Sequence, residues 1–194
     1  MEIERYTSSA AIARFSAGQS TDAYKDFGCR YLPGVGAHRF TVWAPGAVSV
    51  SLVGDFNVWD GTACPMQRLP SGAWTALVPG VLNGQVYKYA VTGPDGQTHL
   101  KADPFALHCE TGPATGSKVW DISGFEWGDG DFMKARRSFD PASSPMSIYE
   151  MHIGSWRRKE NEVYPWYRAV ADELAEYCTD MGYTHVELLP VTEY

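Results

Sequence analysis

Alternating apolar and polar residues between positions 39 and 122 predict a series of short β-strands. Phe40, Val42 and Ala44, for example, alternate with polar or amphipathic neighbours, which predicts a strand with one buried face. The runs of this kind are Arg39–Ala44, Val48–Leu52, Ala73–Val78, Gln85–Thr92, Gln97–Lys101 and Val119–Ile122. Gly, Pro, Asn and Asp separate them, as turns between strands require. The spacing predicts an antiparallel, immunoglobulin-like β-sandwich over residues 29–122.

A different periodicity marks residues 147–194. Ile148–Ile153 is a β-type run, and Thr184–Val191 is a second one. Between them, Tyr167–Met181 has apolar residues at three- and four-residue spacing, which predicts a helix with one buried stripe. Pro165 suits its first turn and Gly182 suits the position just past its end. Strand, helix and strand together predict a parallel βαβ unit, which needs further strands and helices to cover it.

The two remaining segments flank the predicted sandwich. Residues 1–28 predict two short helices, Ala10–Ala17 capped by Ser8 or Ser9, and Asp22–Phe27. Residues 123–146 combine glycine, aspartate and a Ser/Pro-rich run with the aromatic residues Phe125, Trp127, Phe132 and Phe139. Because so many aromatic residues are atypical of a solvated tether, we expect this interdomain segment to pack between the two domains.

Charge and cysteine usage exclude several classes of partner. The formal net charge of −7, with no basic run longer than Arg157–Lys159, argues against nucleic acid and anionic membranes. The four cysteines form no CxxC pair and are typical of reduced packing residues in a cytoplasmic protein. No secretory signal and no stretch of transmembrane length is visible. The histidines lack ligand-like spacing, so no metal site is predicted, and no cofactor motif is present.

The turn Gly54–Gly61 is the first candidate for chemistry. It places Trp59 near Asn57 between two glycines, and Lys88 lies on another predicted strand. A flat aromatic face can bind the apolar C–H face of a sugar ring, while amide and ammonium groups bind its hydroxyls. The alternative is that Trp59 is a packing residue and Lys88, which alternates with Tyr87 and Tyr89, is a solubilising strand lysine.

Four polar residues in the closing βαβ unit form the second candidate. Strand alternation puts Glu150 and His152 on one face of the first strand, and His185 and Glu187 on one face of the second. If both strands belong to a barrel, these side chains point into it and must be paired. They predict either a substrate-facing floor or a structural Glu–His hydrogen-bond network. We favour the network, because barrel chemistry is found at the C-terminal ends of strands.

Five segments together resemble the 1,4-α-glucan (glycogen) branching enzymes. They occur in the same order and spacing from about Phe27 to Glu193. These segments are Gly54–Gly61, Asn83–Tyr89, Leu100–Ala106, Tyr149–Trp156 and Asp180–Val191. The resemblance implies a glycogen-binding β-sandwich of carbohydrate-binding module family 48, followed by the first βαβ unit of an incomplete glycoside hydrolase family 13 (β/α)₈ barrel.

The resemblance also implies a reaction and a partner. Enzymes of this family cleave an α-1,4 bond of a glucan with two carboxylates and transfer the segment to a 6-hydroxyl, which makes an α-1,6 branch. Those carboxylates lie on later barrel strands, beyond Tyr194, so no catalytic residue is assigned and the chain by itself is expected to be inactive. The expected partner is α-glucan, contacted through Trp59, Asn57 and Lys88.

One departure and two alternatives accompany this interpretation. Glycan-binding relatives often carry a second tryptophan near the position of Thr98, where this sequence has none, which weakens the expected affinity of the sandwich for sugar. The chain is alternatively a non-catalytic α-glucan-binding module, or part of another family 13 enzyme such as a debranching enzyme or a trehalohydrolase. Ending just past the second strand, it is expected to be a truncated reading frame.

Overall fold

The computed structural model of the chain describes residues 6–157 and 167–191. The chain divides into two compact units, Met1–Glu126 and Trp127–Tyr194. In the first unit, one antiparallel sheet has the strand order β1-β2-β5-β4. Its strands are β1 (Gly28–Leu32), β2 (Ala37–Trp43), β4 (Gln67–Arg68) and β5 (Ala73–Pro79).

A second antiparallel sheet has the order β3-β6-β9-β8, with β7 also paired to β6. Its strands are β3 (Ser49–Gly54), β6 (Val86–Thr92), β7 (Thr98–Lys101), β8 (His108–Cys109) and β9 (Ser117–Lys118). Inward-facing side chains of both sheets share one core. Its fully buried members include Phe40, Val50, Leu52, Tyr87 and Tyr89. The predicted β-sandwich is confirmed. Strands β1, β4 and β8 were not predicted, and the strand predicted at Val119–Ile122 is wrong, because the last strand, β9, ends at Lys118.

The outer face of the first sheet is also buried, which the alternating pattern did not predict. Arg39, Thr41 and Thr75 lie on that face and are covered by the N-terminal segment. The Arg39 guanidinium donates hydrogen bonds to the main-chain oxygens of Tyr6, Lys25 and Asp26. Thr7 Oγ1 lies 3.3 Å from Thr75 Oγ1. Strand β2 is therefore buried on both faces, whereas the sequence pattern predicted one.

Helix α1 (Ser9–Ser16) belongs to this cover. Ser8 caps it by accepting a hydrogen bond from the Ala11 amide, as one of the two predicted caps. Ile12 is fully buried and packs in a second cluster with Phe27, Leu69 and Ala73. The second predicted helix, Asp22–Phe27, is only a 3₁₀ turn over Ala23–Lys25. Within residues 6–27, helix α1 and the 3₁₀ turn are thus packed on the sandwich.

The second unit contains the predicted strand–helix–strand arrangement. Strand β10 (Ile148–Met151) pairs in parallel with β11 (His185–Leu188), and helix α3 (Tyr167–Met181) lies between them in sequence. Gly182 follows α3 with a φ of 75°, as the predicted helix end requires. The predicted helix start at Pro165 lies outside the described residues.

Aromatic contacts pack helix α3 against strand β10. The Tyr149 ring lies 5.3 Å from the Tyr177 ring of α3, and Met151 is buried. On the same face of β11, Val186 and Leu188 are 42% and 47% exposed, so that strand is only partly covered. A helix that the sequence pattern did not predict, α2 (Gly130–Ser138), lies within residues 123–146. The packing of that segment's aromatic residues between domains stays a prediction.

Candidate functional site

The turn after β3 holds Trp59 in an unusual backbone conformation. A 3₁₀ turn over Asp55–Asn57 is followed by Val58 and Trp59, both in the left-handed region with φ of 54° and 60°. Such a conformation costs a non-glycine residue about 1–2 kcal/mol. The Trp59 amide donates to the Gly54 carbonyl at 3.0 Å, which closes the turn. Local hydrogen bonds therefore offset strain that places this indole at the surface.

Asn57 supplies most of those hydrogen bonds. Its Oδ1 accepts from the Gly54 amide at 2.9 Å, and its Nδ2 donates to the carbonyls of Leu52 at 2.9 Å and Asp60 at 3.3 Å. Both amide hydrogens are thus engaged within the turn. The role of Asn57 as a sugar contact stays a prediction, since these hydrogen bonds show only that its amide holds the turn that carries Trp59. The type of residue was informative, but sequence alone did not distinguish the two roles.

Asp55 fixes the Trp59 side chain and was missed by the sequence reasoning. Its Oδ1 accepts a hydrogen bond from the Trp59 indole Nε1 at 3.1 Å, and its Oδ2 accepts from the Val86 amide of β6 at 2.7 Å. One carboxylate thereby ties the indole to the neighbouring strand. Trp59 is 40% exposed, so part of the ring packs and part remains open to a ligand.

Gly54 allows the turn to approach β6 this closely. A Cβ added at Gly54 would lie 2.4 Å from the Val86 carbonyl oxygen and 2.9 Å from the Phe56 ring. At the other end of the turn, a Cβ added at Gly61 would lie 3.9 Å from Val53, which is an ordinary contact. The turn therefore ends over Val53 on the outer face of the second sheet.

Lys88 lies on that same outer face. It is paired with Val53 across β3 and β6, while Tyr87 and Tyr89 on either side of it point into the core. This confirms the predicted alternation. The Lys88 ammonium donates to Thr115 Oγ1 at 2.6 Å, in the exposed turn before β9. Since Val53 lies under the Gly54–Gly61 turn and beside Lys88, the outer face brings the Trp59 turn and Lys88 to one surface.

Thr98 lies where glycan-binding relatives often carry a second tryptophan, and it forms a small polar pair with Thr92. Thr98 Oγ1 lies 2.9 Å from Thr92 Oγ1, across the paired strands β7 and β6. Strand β7 is exposed along its length. This part of the outer face offers hydroxyl groups but no second indole.

A buried carboxylate supports the strand that carries Lys88. Asp103 Oδ2 accepts hydrogen bonds from the hydroxyls of Tyr87 at 2.6 Å and Tyr89 at 3.1 Å. The Phe105 amide donates to its Oδ1 at 2.8 Å, and its own amide donates to Ser117 Oγ at 2.8 Å. Burial raises the pKa of Asp103, although these hydrogen bonds oppose the rise. The Leu100–Ala106 motif is thus structural.

The four polar residues of the second unit share a sheet face without bonding to one another. Glu150 is paired with Glu187, and His185 lies two residues before it on β11. His152 Nδ1 lies 3.1 Å from Ser155 Oγ, and His185 Nδ1 lies 2.8 Å from Thr184 Oγ1. Within residues 6–157 and 167–191, no hydrogen bond joins a glutamate of this set to a histidine. Their role as a barrel network stays a prediction.

The described residues contain neither a cluster suited to a metal ion nor a helix suited to a membrane. Across residues 6–157 and 167–191, no group of three or more His, Cys, Asp or Glu side chains is placed to hold a metal ion. In the same ranges, no helix has the length and apolar character needed to cross a membrane.

Comparison with known proteins relates both units to glucan-active enzymes. Residues 26–106 match the carbohydrate-binding module 48 (isoamylase N-terminal domain) family. The chain is 44% identical over 183 residues to the 1,4-alpha-glucan branching enzyme GlgB of Bacillus caldolyticus, covering 93% of this chain and 28% of that enzyme. It is 48% identical over 162 residues to GlgB of Pseudomonas aeruginosa, covering 83% of this chain and 22% of that enzyme.

A solved structure shows the same fold. The pullulanase type I of Bacillus subtilis str. 168, complexed with maltose, superposes with a TM-score of 0.65 at 24% identity, covering 94% of this chain and 26% of that one. The chain spans about a quarter of the length of the curated relatives that it matches. Over 93% of its own length the chain is similar to the 1,4-alpha-glucan branching enzyme GlgB, and residues 26–106 within it match the carbohydrate-binding module 48 family.

Proposed function

We propose that the chain is the N-terminal portion of a glycogen branching enzyme, which cleaves α-1,4-glucan and transfers the segment to a 6-hydroxyl to form α-1,6 branches. The observation that carries this proposal is the 44% identity to GlgB over 93% of the chain, because it extends through both units. The match to the pullulanase, at 24% identity, supports the fold alone. A branching enzyme is therefore favoured over a debranching enzyme or a trehalohydrolase.

The second unit is proposed as the start of a (β/α)₈ barrel. The parallel pairing of β10 with β11 and the helix between them support it, because parallel strands joined by a helix are the repeating unit of that fold. In the completed barrel, Glu150, His152, His185 and Glu187 would face the interior as a structural polar network. None of them is proposed as a catalytic residue.

The first unit is proposed to bind α-glucan on the surface formed by Trp59 and Lys88. A glucose ring stacks its C–H face on the exposed part of the Trp59 indole, while the Lys88 ammonium and Thr115 hydroxyl are placed to bond sugar hydroxyls. Asn57 and Asp55 hold the indole in position. A shallow site of this size binds in roughly the millimolar to sub-millimolar range.

Such weak binding is useful when the ligand is a polymer. A glucan held at one point on the first unit stays at high effective concentration near an attached catalytic domain, so repeated encounters need no tight site. The contribution of this chain to branching is thus to keep the polymer close. The chemistry itself would come from carboxylates outside the chain.

Binding is tested with the purified chain on native gels that contain glycogen. We expect glycogen to retard the chain, and Trp59→Ala to remove most of the retardation. Trp127→Ala is the matched control, because Trp127 is a more exposed indole in the other unit. Equal retardation of Trp59→Ala and the unchanged chain would remove the Trp59 assignment.

Enzyme membership is tested with a chimera. The matching segment of the Bacillus caldolyticus GlgB is replaced by this chain, and new α-1,6 linkages are measured after incubation with amylose. We expect branching by the chimera and none by the chain alone. A folded chimera that binds glycogen without branching would instead favour the second candidate, a non-catalytic α-glucan-binding module, which the self-contained core of the first unit supports.

A further inference from the structure

A cleft of ≈ 400 Å³ opens at one end of the sandwich and is lined by none of the residues of the Trp59 turn. Strand pairing explains its position. Cys29 pairs with Phe40, and two residues further along Tyr31 pairs with His38, so all four side chains are on the inner face of the first sheet. Cys29 and Phe40 are buried in the core, whereas Tyr31 is 48% exposed. The cleft is the place where the inner face leaves the core and meets solvent.

Aromatic rings form both walls of this cleft. On one side the Tyr31 ring lies 5.0 Å from the His38 ring, and Tyr24 is 56% exposed. On the other side Trp120, which is 39% exposed, makes an edge contact at 4.6 Å with His108. The Tyr31 and Trp120 rings are therefore each held by a neighbouring ring and leave part of their surface open. The volume falls within the range of about 300–1,000 Å³ that is typical of small-molecule sites.

Several polar groups in the cleft have no partner in the described part of the chain. The hydroxyls of Tyr24 and Tyr31 make no hydrogen bond to residues 6–157 or 167–191. His38 Nδ1 is buried and has no hydrogen-bond partner in those ranges. Burial lowers the pKa of His38, so its ring is neutral at pH 7 and can both donate and accept. The cleft thus offers unused hydrogen-bonding capacity beside apolar rings.

The charged residues of the cleft are already engaged. Lys25 lies 3.5 Å from Asp22, and the Arg30 guanidinium donates to the main-chain oxygens of Tyr24 and Cys29. Asp121 accepts hydrogen bonds from the amide and hydroxyl of Ser123. No cation is therefore held ready for a phosphate or carboxylate. A neutral ligand with a flat apolar face and many hydroxyls fits this combination best.

We infer that this cleft is a second α-glucan site, in which Tyr31 and Trp120 contact a pyranose ring and the Tyr24 hydroxyl and His38 bond its hydroxyls. It shares no residue with the surface formed by Trp59 and Lys88. The choice of α-glucan as the sugar rests on the proposed function. One chain would then hold a glucan at two places, which strengthens its hold on a branched polymer without a tight site.

The test is a titration of the ¹⁵N-labelled 194-residue chain with maltoheptaose. The measured quantity is the chemical-shift change of each backbone amide in NMR spectra. We expect saturable shifts at two separate sets of amides, residues 57–60 and 88 for the first surface, and residues 29–31, 38 and 120–122 for the cleft. Cellohexaose, with β linkages, is the sugar control. Loss of one stacking ring should weaken the affected site by about two- to tenfold.

Variants separate the two sites. Tyr31→Ala and Trp120→Ala should weaken the cleft shifts and leave the Trp59 set unchanged, whereas Trp59→Ala should do the reverse. Phe132→Ala, which removes an exposed ring from α2, should change neither. Tyr31→Phe keeps the ring and tests the hydroxyl, so a folding defect in Tyr31→Ala does not decide the outcome.

The possible results are distinguishable. Shifts confined to the Trp59 set would overturn the cleft site and leave the proposed function intact. Shifts confined to the cleft would support the inference and remove Trp59 from the proposed binding surface. Equal shifts with cellohexaose, or cleft shifts with an extended peptide but not with maltoheptaose, would overturn the α-glucan assignment. No shifts with any ligand would overturn both binding sites, while the chimera would still report on branching.

Discussion

Asp55 holds the Trp59 indole at 3.1 Å with one carboxylate oxygen and the β6 backbone with the other. The exposed part of the ring therefore has a fixed orientation, although its backbone is strained. Trp59 is the proposed sugar contact, and the hydrogen bond from its indole to Asp55 fixes the position of the ring. The first prediction concerns this dependence.

Asp55→Ala should weaken glycogen binding by about two- to tenfold, because loss of about 0.5–1.5 kcal/mol of hydrogen bonding frees the indole. The measurement is retardation on glycogen gels. Asp131→Ala, which removes an exposed carboxylate from α2, is the control. If both variants migrate like the unchanged chain, Asp55 does not position the ring.

Gly54→Ala and Gly61→Ala form a matched pair at the two ends of the same turn. The new methyl group at residue 54 would lie 2.4 Å from a main-chain oxygen, so the turn must shift, at a cost of about 1–3 kcal/mol. At residue 61 the nearest contact is 3.9 Å, and the change should be within about 0.5 kcal/mol. Urea unfolding measures both. Similar costs for the two variants would contradict this account of the turn.

Asp103 should give the stability of the chain a pH dependence of defined sign. Burial raises its pKa above the ordinary value of 3.8, so the folded chain binds this proton more tightly than the unfolded chain does. Its contribution to stability is fully present below pH 3.8 and is lost as the pH rises through the folded-state pKa. Asp103→Asn removes that titration, so its destabilisation should be larger at low pH than at pH 7.

Urea unfolding of Asp103→Asn at several pH values from about 2.5 to 7 measures this difference. Asp60→Asn is the control of opposite sign. Hydrogen bonds from the Thr62 side chain and amide lower the pKa of Asp60, so its contribution is present above the unfolded pKa and is lost as the pH falls. A destabilisation by Asp103→Asn that grows toward pH 7 would show that the sign is wrong.

Arg39→Met should lower the free energy of unfolding by roughly 2–4 kcal/mol, because three main-chain oxygens of the N-terminal segment lose their buried donor. Arg68→Met is the comparison, since the Arg68 guanidinium is exposed and donates to one carbonyl, that of Pro45. Tryptophan fluorescence during urea unfolding measures both. Equal, small decreases in the free energy of unfolding for both variants would mean that Arg39 does not hold the N-terminal segment on the first sheet.

Local sequence patterns were sufficient to predict the strands of the sandwich core and helix α3, because alternation and helical spacing depend only on neighbouring residues. Strand β1 was missed because it begins at Gly28, in the left-handed region with φ of 81°, and does not alternate cleanly. The double burial of β2 depends on residues far away in sequence, so no local pattern reports it. Trp59 and Lys88 were proposed from residue type and stay predictions as sugar contacts, whereas the role of Asp55 in the turn is visible only from its hydrogen bonds.

The N-terminal segment that packs on the first sheet determines where a stable fragment of the first unit can begin. The family match spans residues 26–106, but Thr7 and Ile12 bury one side of the sandwich and Ser117 bonds the buried Asp103. A fragment trimmed to the family limits would expose a row of threonines and lose β9. The smallest piece expected to fold alone therefore runs from about residue 6 to the Asp121–Ser123 turn, and grafting it onto another enzyme should carry its N-terminal helix along.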